Sequence, residues 1–172
     1  MPKLLSLNGE YEISANRPLA AGHHGSPWRQ AEDDAPMVRH GVTAVAPELV
    51  DAGDWTPECG KGVRLAVDHA LEERFLSADR IAIEFPAFND GRGLSLAVLL
   101  RTRYGYAGDI MATGDVHEDT LHYMRRCGFT SFLVPDERNL ETALSTLAPY
   151  SDYYQASVIE PQPAFRRIGR GA

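Results

Sequence analysis

Cysteine is nearly absent: the 172 residues include Cys59 and Cys127 and no others. The two sit in unlike local contexts, with no C-x-x-C pair and no Cys/His ligand cluster. A disulfide framework, a zinc ribbon and an iron–sulfur cysteine set are therefore not indicated, and a reducing cytoplasm fits best. Basic runs are lacking too. Seventeen Lys and Arg against 24 Asp and Glu give a net charge of −7. No stretch of lysines or arginines could neutralise a phosphate backbone, which argues against nucleic acid as a partner. No apolar stretch reaches membrane-spanning length, and Met1 to Ile13 mixes Lys3, Glu10 and Glu12 with short apolar pieces, unlike a signal peptide or targeting helix.

The 44% hydrophobic content is enough for one buried core. Its distribution is uneven. Pro18, Pro27, Pro36, Pro47 and Pro57 interrupt any long periodic element in residues 1–60. That region reads as an irregular arm packing on the core. Within it, Leu4 to Leu7 and Glu10 to Ile13, joined by Asn8-Gly9, match a small hairpin, and Gly22 to Asp34 looks like a loop.

From residue 61 to 157 short apolar runs alternate with helical patterns, as in an α/β core. Strands are expected at Val63 to Val67, Arg80 to Phe85, Asp109 to Thr113 and Thr130 to Val134. Helices are expected at Ala70 to Leu76, Arg92 to Tyr104, Val116 to Cys127 and Leu140 to Leu147. Asp115 with Glu118 resembles a capping box, and Gly105 and Gly128 sit where C-terminal glycines belong. About four βα units follow, most simply as a parallel sheet with right-handed crossovers, of half-barrel or open three-layer type. Residues 158–172 read as a mobile tail. The helix carrying Leu94, Leu96, Ala97, Val98, Leu99 and Leu100 is apolar almost all round, so its outer side calls for a cover: the arm, or a second copy in a homodimer.

Ligands of parallel α/β sheets collect at the carboxyl ends of the strands. Two loops fall there. Phe85 to Ser95 offers Asp90, the backbone of Gly91 and Gly93, the planar cation of Arg92 and the hydroxyl of Ser95, a plausible oxyanion cradle. The plainer alternative is a turn at Asp90-Gly91 with Arg92 paired to a nearby carboxylate and the glycines permitting tight packing. The loop from Thr113 to Asp119 brings Asp115, His117 and Asp119 to the same edge, from which a general base could be drawn, although Asp115 and Glu118 are also explained as capping residues. Leu96 stands at the third glycine position of a dinucleotide fingerprint.

His117 and His122, five positions apart, do not share a helix face, and His23-His24 falls in an expected loop, so no metal site is supported. Cys127, at a helix end before Gly128, reads as a buried structural thiol. Tyr150, Tyr153, Tyr154 and Gln155 could form a partner surface, or dock the terminus onto the core.

Phe85-Pro-x-Phe-x-Asp-Gly-Arg-Gly-x-Ser95, Gly114-Asp-Val116, Arg126-Cys-Gly-Phe129 and Tyr154-Gln155 resemble the bacterial domain of unknown function nine-three-four. The resemblance spans roughly Val63 to Gln155. Members of that family are commonly labelled probable oxidoreductases involved in sulfite reduction. The sequence departs from the family at His117-Glu118-Asp119-Thr120, where Leu-Arg-Asp-Gln is expected, with Asp119 kept. The resemblance implies an accessory of assimilatory sulfite reduction, in sulfate assimilation, whose partner is the sulfite reductase or sulfonucleotide reductase machinery. The alternative is a small enzyme or carrier that binds a sulfur oxyanion or phosphate through Asp90, Gly91, Arg92, Gly93, Ser95, Asp115 and Asp119. No catalytic residue, cofactor motif or metal set is evident.

Overall fold

The computed structural model describes residues 3–6, 41–43, 48–135, 140–147 and 153–168. Among these residues seven strands form one sheet: β1 (Lys3–Ser6), β2 (Gly41–Thr43), β3 (Leu49–Asp51), β4 (Gly62–Ala66), β5 (Arg80–Phe85), β6 (Asp109–Gly114) and β7 (Ser131–Val134). Their spatial order is β2-β1-β7-β6-β5-β4-β3. From β3 to β7 the strands are parallel and adjacent in chain order, while β1 runs antiparallel to β7 and β2 antiparallel to β1. The fold is α/β, as the alternation implies. Every crossover from β3 to β7 steps in the same direction, so right-handed connections place the intervening segments on one face. This is the winding of the half-barrel alternative.

The helices are α1 (Arg92–Thr102), α2 (Leu121–Cys127), α3 (Leu140–Thr146) and α4 (Ala164–Ile168). α1 packs beside α2 and α2 beside α3. Under them lies the main core, built from alternate strand residues: Val63 and Leu65, Ile81, Ile83 and Phe85, Ile110 and Ala112, Phe132 and Val134. On the opposite face Ala82 and Met111 are fully buried, with Leu49 and Leu133 packed against them. Burial on both faces explains why β6 reads as a continuous buried run rather than an alternating one.

Several expectations need correction. The sheet begins inside the expected arm, because β3 pairs with β4 before residue 61. The three residues of β3 are too few to show a period. β1 has a strand on either side, β7 and β2, so its second partner is Gly41–Thr43; Glu10 to Ile13 and Gly22 to Asp34 lie outside the described residues.

The helix expected at Ala70 to Leu76 is a 3-10 turn, Glu73–Ser77. A seven-residue helix is marginal alone, and here tertiary anchors dominate. Phe75 is buried edge-on to Trp55, with ring centroids 6.0 Å apart. Arg74 donates to the carbonyl oxygens of Trp55 and Ala52 at 2.6 and 2.9 Å.

α2 starts five residues later than the capping box implies. Val116 is fully buried and its N–H bonds to the Gly114 carbonyl oxygen at 2.9 Å, so the chain turns before it coils. At the other end Gly128 caps α2 with φ 107, and Gly105, just beyond α1, has φ 62.

The apolar girdle of α1 is largely used within the chain. Gly93, Ala97 and Leu100 face the sheet, and Leu94, Leu96 and Val98 pack partly against the core. Leu99, 39% exposed, marks the outer side with Ser95. At the amino edge of the sheet Arg101 ties the ends of both long crossovers together. It donates to the carbonyl oxygens of Gly128 (3.0 Å), Tyr106 (2.6 Å) and Gly108 (2.7 Å).

Residues 153–168, which include most of the expected tail, run along α2. The Val158 N–H bonds to the Arg126 carbonyl oxygen at 3.1 Å. The Arg126 guanidinium lies 4.5 Å from the Tyr153 ring centroid, and Arg167 donates to the Tyr153 carbonyl oxygen at 2.9 Å. The aromatic cluster therefore divides: Tyr153 docks, whereas Tyr154 faces outward beside Phe165 at 6.1 Å. Tyr150 lies outside the described residues. No helix among the described residues is long and apolar enough to cross a membrane.

Candidate functional site

The β5–α1 and β6–α2 loops meet at the carboxyl edge of the sheet because β5 and β6 are parallel neighbours in register through Phe85 and Gly114. Gly114 has φ 84, and its α-carbon faces the backbone of Phe85 so closely that a methyl group there would collide with the Phe85 carbonyl oxygen. That oxygen accepts the Asp115 N–H at 2.9 Å. Asp115 in turn accepts the Phe88 N–H at 3.0 Å through one carboxylate oxygen and contacts His117 Nε2 at 3.0 Å through the other. The Phe88 and His117 rings lie 5.0 Å apart. Asp115 thus clasps two loops together, in place of the capping role expected for it.

Asp90 and Arg92 form a closed pair. The Arg92 guanidinium reaches Asp90 at 2.6 Å through Nη2 and at 3.0 and 3.2 Å through Nε, and the Arg92 N–H adds a bond of 3.0 Å. The Arg92 side chain holds the Asp90 carboxyl below the usual carboxylate range. Asp90 raises the guanidinium in return, with a smaller push from Asp68. This is the turn-and-pair arrangement weighed against an oxyanion cradle, and it commits Nε and Nη2 of Arg92 to Asp90.

The two glycines of the loop differ. A β-carbon on Gly93 would lie 2.6 Å from the Phe85 ring, so Gly93 lets α1 settle on the sheet. A β-carbon on Gly91 would meet nothing within 4 Å. Gly93→Ala is expected to lower stability by about 1–3 kcal/mol through overpacking. Gly91→Ala should change it by less than about 0.5 kcal/mol. Urea denaturation of the two variants checks the contrast, and equal losses would contradict it.

Between the loops and α2 lies a groove of about 330 Å³. Phe85, Leu94 and Met124 give it apolar lining, and Asp90, Gly91 and Asp119 contribute to it, together with His122. Phe88, 54% exposed, and Tyr123, 50% exposed, also line it. Of the sequence candidates, then, Asp90, Gly91 and Asp119 share the groove. Arg92 is paired beside it, Gly93 is packed under α1, Ser95 points to solvent and Asp115 braces the loops from below. Phe88, Leu94, Tyr123 and Met124 were not anticipated as site residues. An aromatic in a loop directly after a strand, and one on the polar side of a short helix, were the available signals. Cys127 is buried away from this edge, and burial raises its thiol pKa against the pull of Arg126. Among the described residues no group of three or more His, Cys, Asp or Glu is placed to hold a metal ion.

The family model described as "Bacterial protein of unknown function (DUF934)" matches residues 62–165. The chain belongs to this family. Comparisons with curated proteins and with solved structures give no match. The DUF934 stretch runs from the first residue of β4 to Phe165 in α4, and so takes in the groove, both loops and the docked tail while leaving β1, β2 and β3 outside.

Proposed function

We propose that this protein is a cytoplasmic accessory of assimilatory sulfite reduction that acts by docking on the sulfite reductase or sulfonucleotide reductase machinery. The pathway rests on the family resemblance. The docking mode rests on one observation: an apolar groove at the carboxyl edge, flanked by the half-exposed rings of Phe88 and Tyr123. Aromatic side chains around a pocket that a partner can dehydrate are the usual anchors of protein interfaces.

The reading as an oxyanion carrier at the same edge draws less support. An anion there would meet Asp90 and Asp119, and the Arg92 cation is already engaged by Asp90. A second copy on the outer side of α1, around Leu99, would account for the exposed apolar surface there and is the homodimer part of the proposal.

Affinity purification from cells growing on sulfate, with mass spectrometry and an absorbance spectrum of the isolated chain, tests the reading. A sulfite-reduction enzyme recovered with a colourless chain is the expected result. A chain that carries a flavin or metal spectrum and recovers none of those enzymes would contradict it.

A further inference from the structure

The groove has a charge pattern as well as a shape. Asp90 is occupied by Arg92, but Asp119 is exposed and has no ion-pair partner among the described residues, although it lines the same groove. An acidic segment entering there would face the unpaired Asp119 carboxylate and the Asp90–Arg92 pair, with only the His122 imidazole beside them. A purely aliphatic segment would fill the floor and leave Asp119 to lose water without a partner, which is costly.

We infer that the groove takes an arginine side chain presented by an extended segment of the partner. This inference rests on the docking reading and specifies its chemistry. The aliphatic stem covers Phe85, Leu94 and Met124, as long basic side chains do on apolar surface. The planar guanidinium can lie on the ring face of Phe88 or Tyr123 and pair with the Asp119 carboxylate through two parallel hydrogen bonds. Lysine can lay its stem on the same apolar surface, but its compact, strongly hydrated ammonium neither stacks flat on a ring nor forms the two parallel hydrogen bonds. A volume of about 330 Å³ is at the small end for ligand pockets, suited to one long side chain and its neighbour rather than to a helix.

The test is an NMR titration of the ¹⁵N-labelled full chain at pH 8 with three blocked tetrapeptides, acetyl-Gly-Arg-Leu-Gly-amide and its lysine and glutamate counterparts. Saturable shifts at Gly91 and at Asp119 to Tyr123 are expected for the arginine peptide, with weaker binding for lysine and none for glutamate. Asp119→Asn should weaken the arginine peptide about tenfold or more, the scale of one charge-assisted contact. Because Asp119 is exposed, this variant should keep the parent spectrum elsewhere. Equal shifts with glutamate, no shifts with arginine, or an Asp119→Asn chain that binds as tightly as the parent would overturn the inference. If the arginine peptide fails while a sulfite-reduction enzyme still co-purifies, the docking reading stands and only its chemistry falls. If both fail, both fall.

Discussion

Asp109→Ala is expected to cost about 3 kcal/mol or more of folding stability, the scale of a buried ion pair broken from one side. Asp109 sits at the start of β6, almost wholly buried, and joins three strands. Its carboxylate accepts from Arg80 Nε in β5 at 2.6 Å, from Ser131 Oγ in β7 at 2.8 and 2.9 Å, and from Thr130 Oγ1 at 2.6 Å. Alanine would leave Arg80, whose side chain is 21% exposed, without its counter-charge and strand two hydroxyls. For a chain of this length the loss corresponds to a fall in Tm on the order of 10 °C. Urea and thermal unfolding measure it, and a change below about 1 kcal/mol would contradict this account of the amino edge. The groove lies at the opposite edge, so the molecules that remain folded should bind a partner as the parent does.

Gly114→Ala should behave differently. The left-handed backbone at φ 84 costs a residue with a side chain about 1–2 kcal/mol. The collision with the Phe85 carbonyl oxygen adds overpacking of about 1–3 kcal/mol. Relief requires β5 and β6 to separate at their carboxyl ends, which breaks the Asp115 N–H bond to Phe85 and loosens the clasp of Asp115 on Phe88. Stability and partner binding should therefore fall together, with binding lost beyond the fraction unfolded. Full binding by the folded fraction of Gly114→Ala would contradict the role given to the Phe85–Gly114 contact.

The parts of this fold that could be read from sequence are those whose signal is local. β5 has the expected ends because Arg80 to Phe85 is a short apolar run between turns, and α1 begins at Arg92 as expected. Gly128 closes α2 because no side chain is comfortable at its backbone angles. Where contacts distant in sequence decide the outcome, local reading fails. Phe75 and Arg74 are held by Trp55 and Ala52, about twenty positions earlier, and so form a turn instead of a helix. Asp115 looks like a cap beside Glu118, yet its carboxylate goes to Phe88, 27 positions away.

The candidate site divides in the same way. The Asp90-Gly91-Arg92 turn was legible because its bonds span two residues. The groove was not, since it exists only once Leu94 of α1 faces Met124 of α2 across the ends of β5 and β6. Asp119 was marked as part of an anion site. In the folded chain it lines the groove together with Asp90, whose carboxylate is held by Arg92.

The most direct test of the central claim is sedimentation velocity of the full chain with purified sulfite reductase, and separately with the sulfonucleotide reductase of the same cells. A complex with one of them is expected, weakened strongly by Tyr123→Ala at the groove and unaffected by Tyr154→Ala on the outward face of the docked tail. No complex with either enzyme, or a complex indifferent to Tyr123→Ala, would contradict docking through this groove.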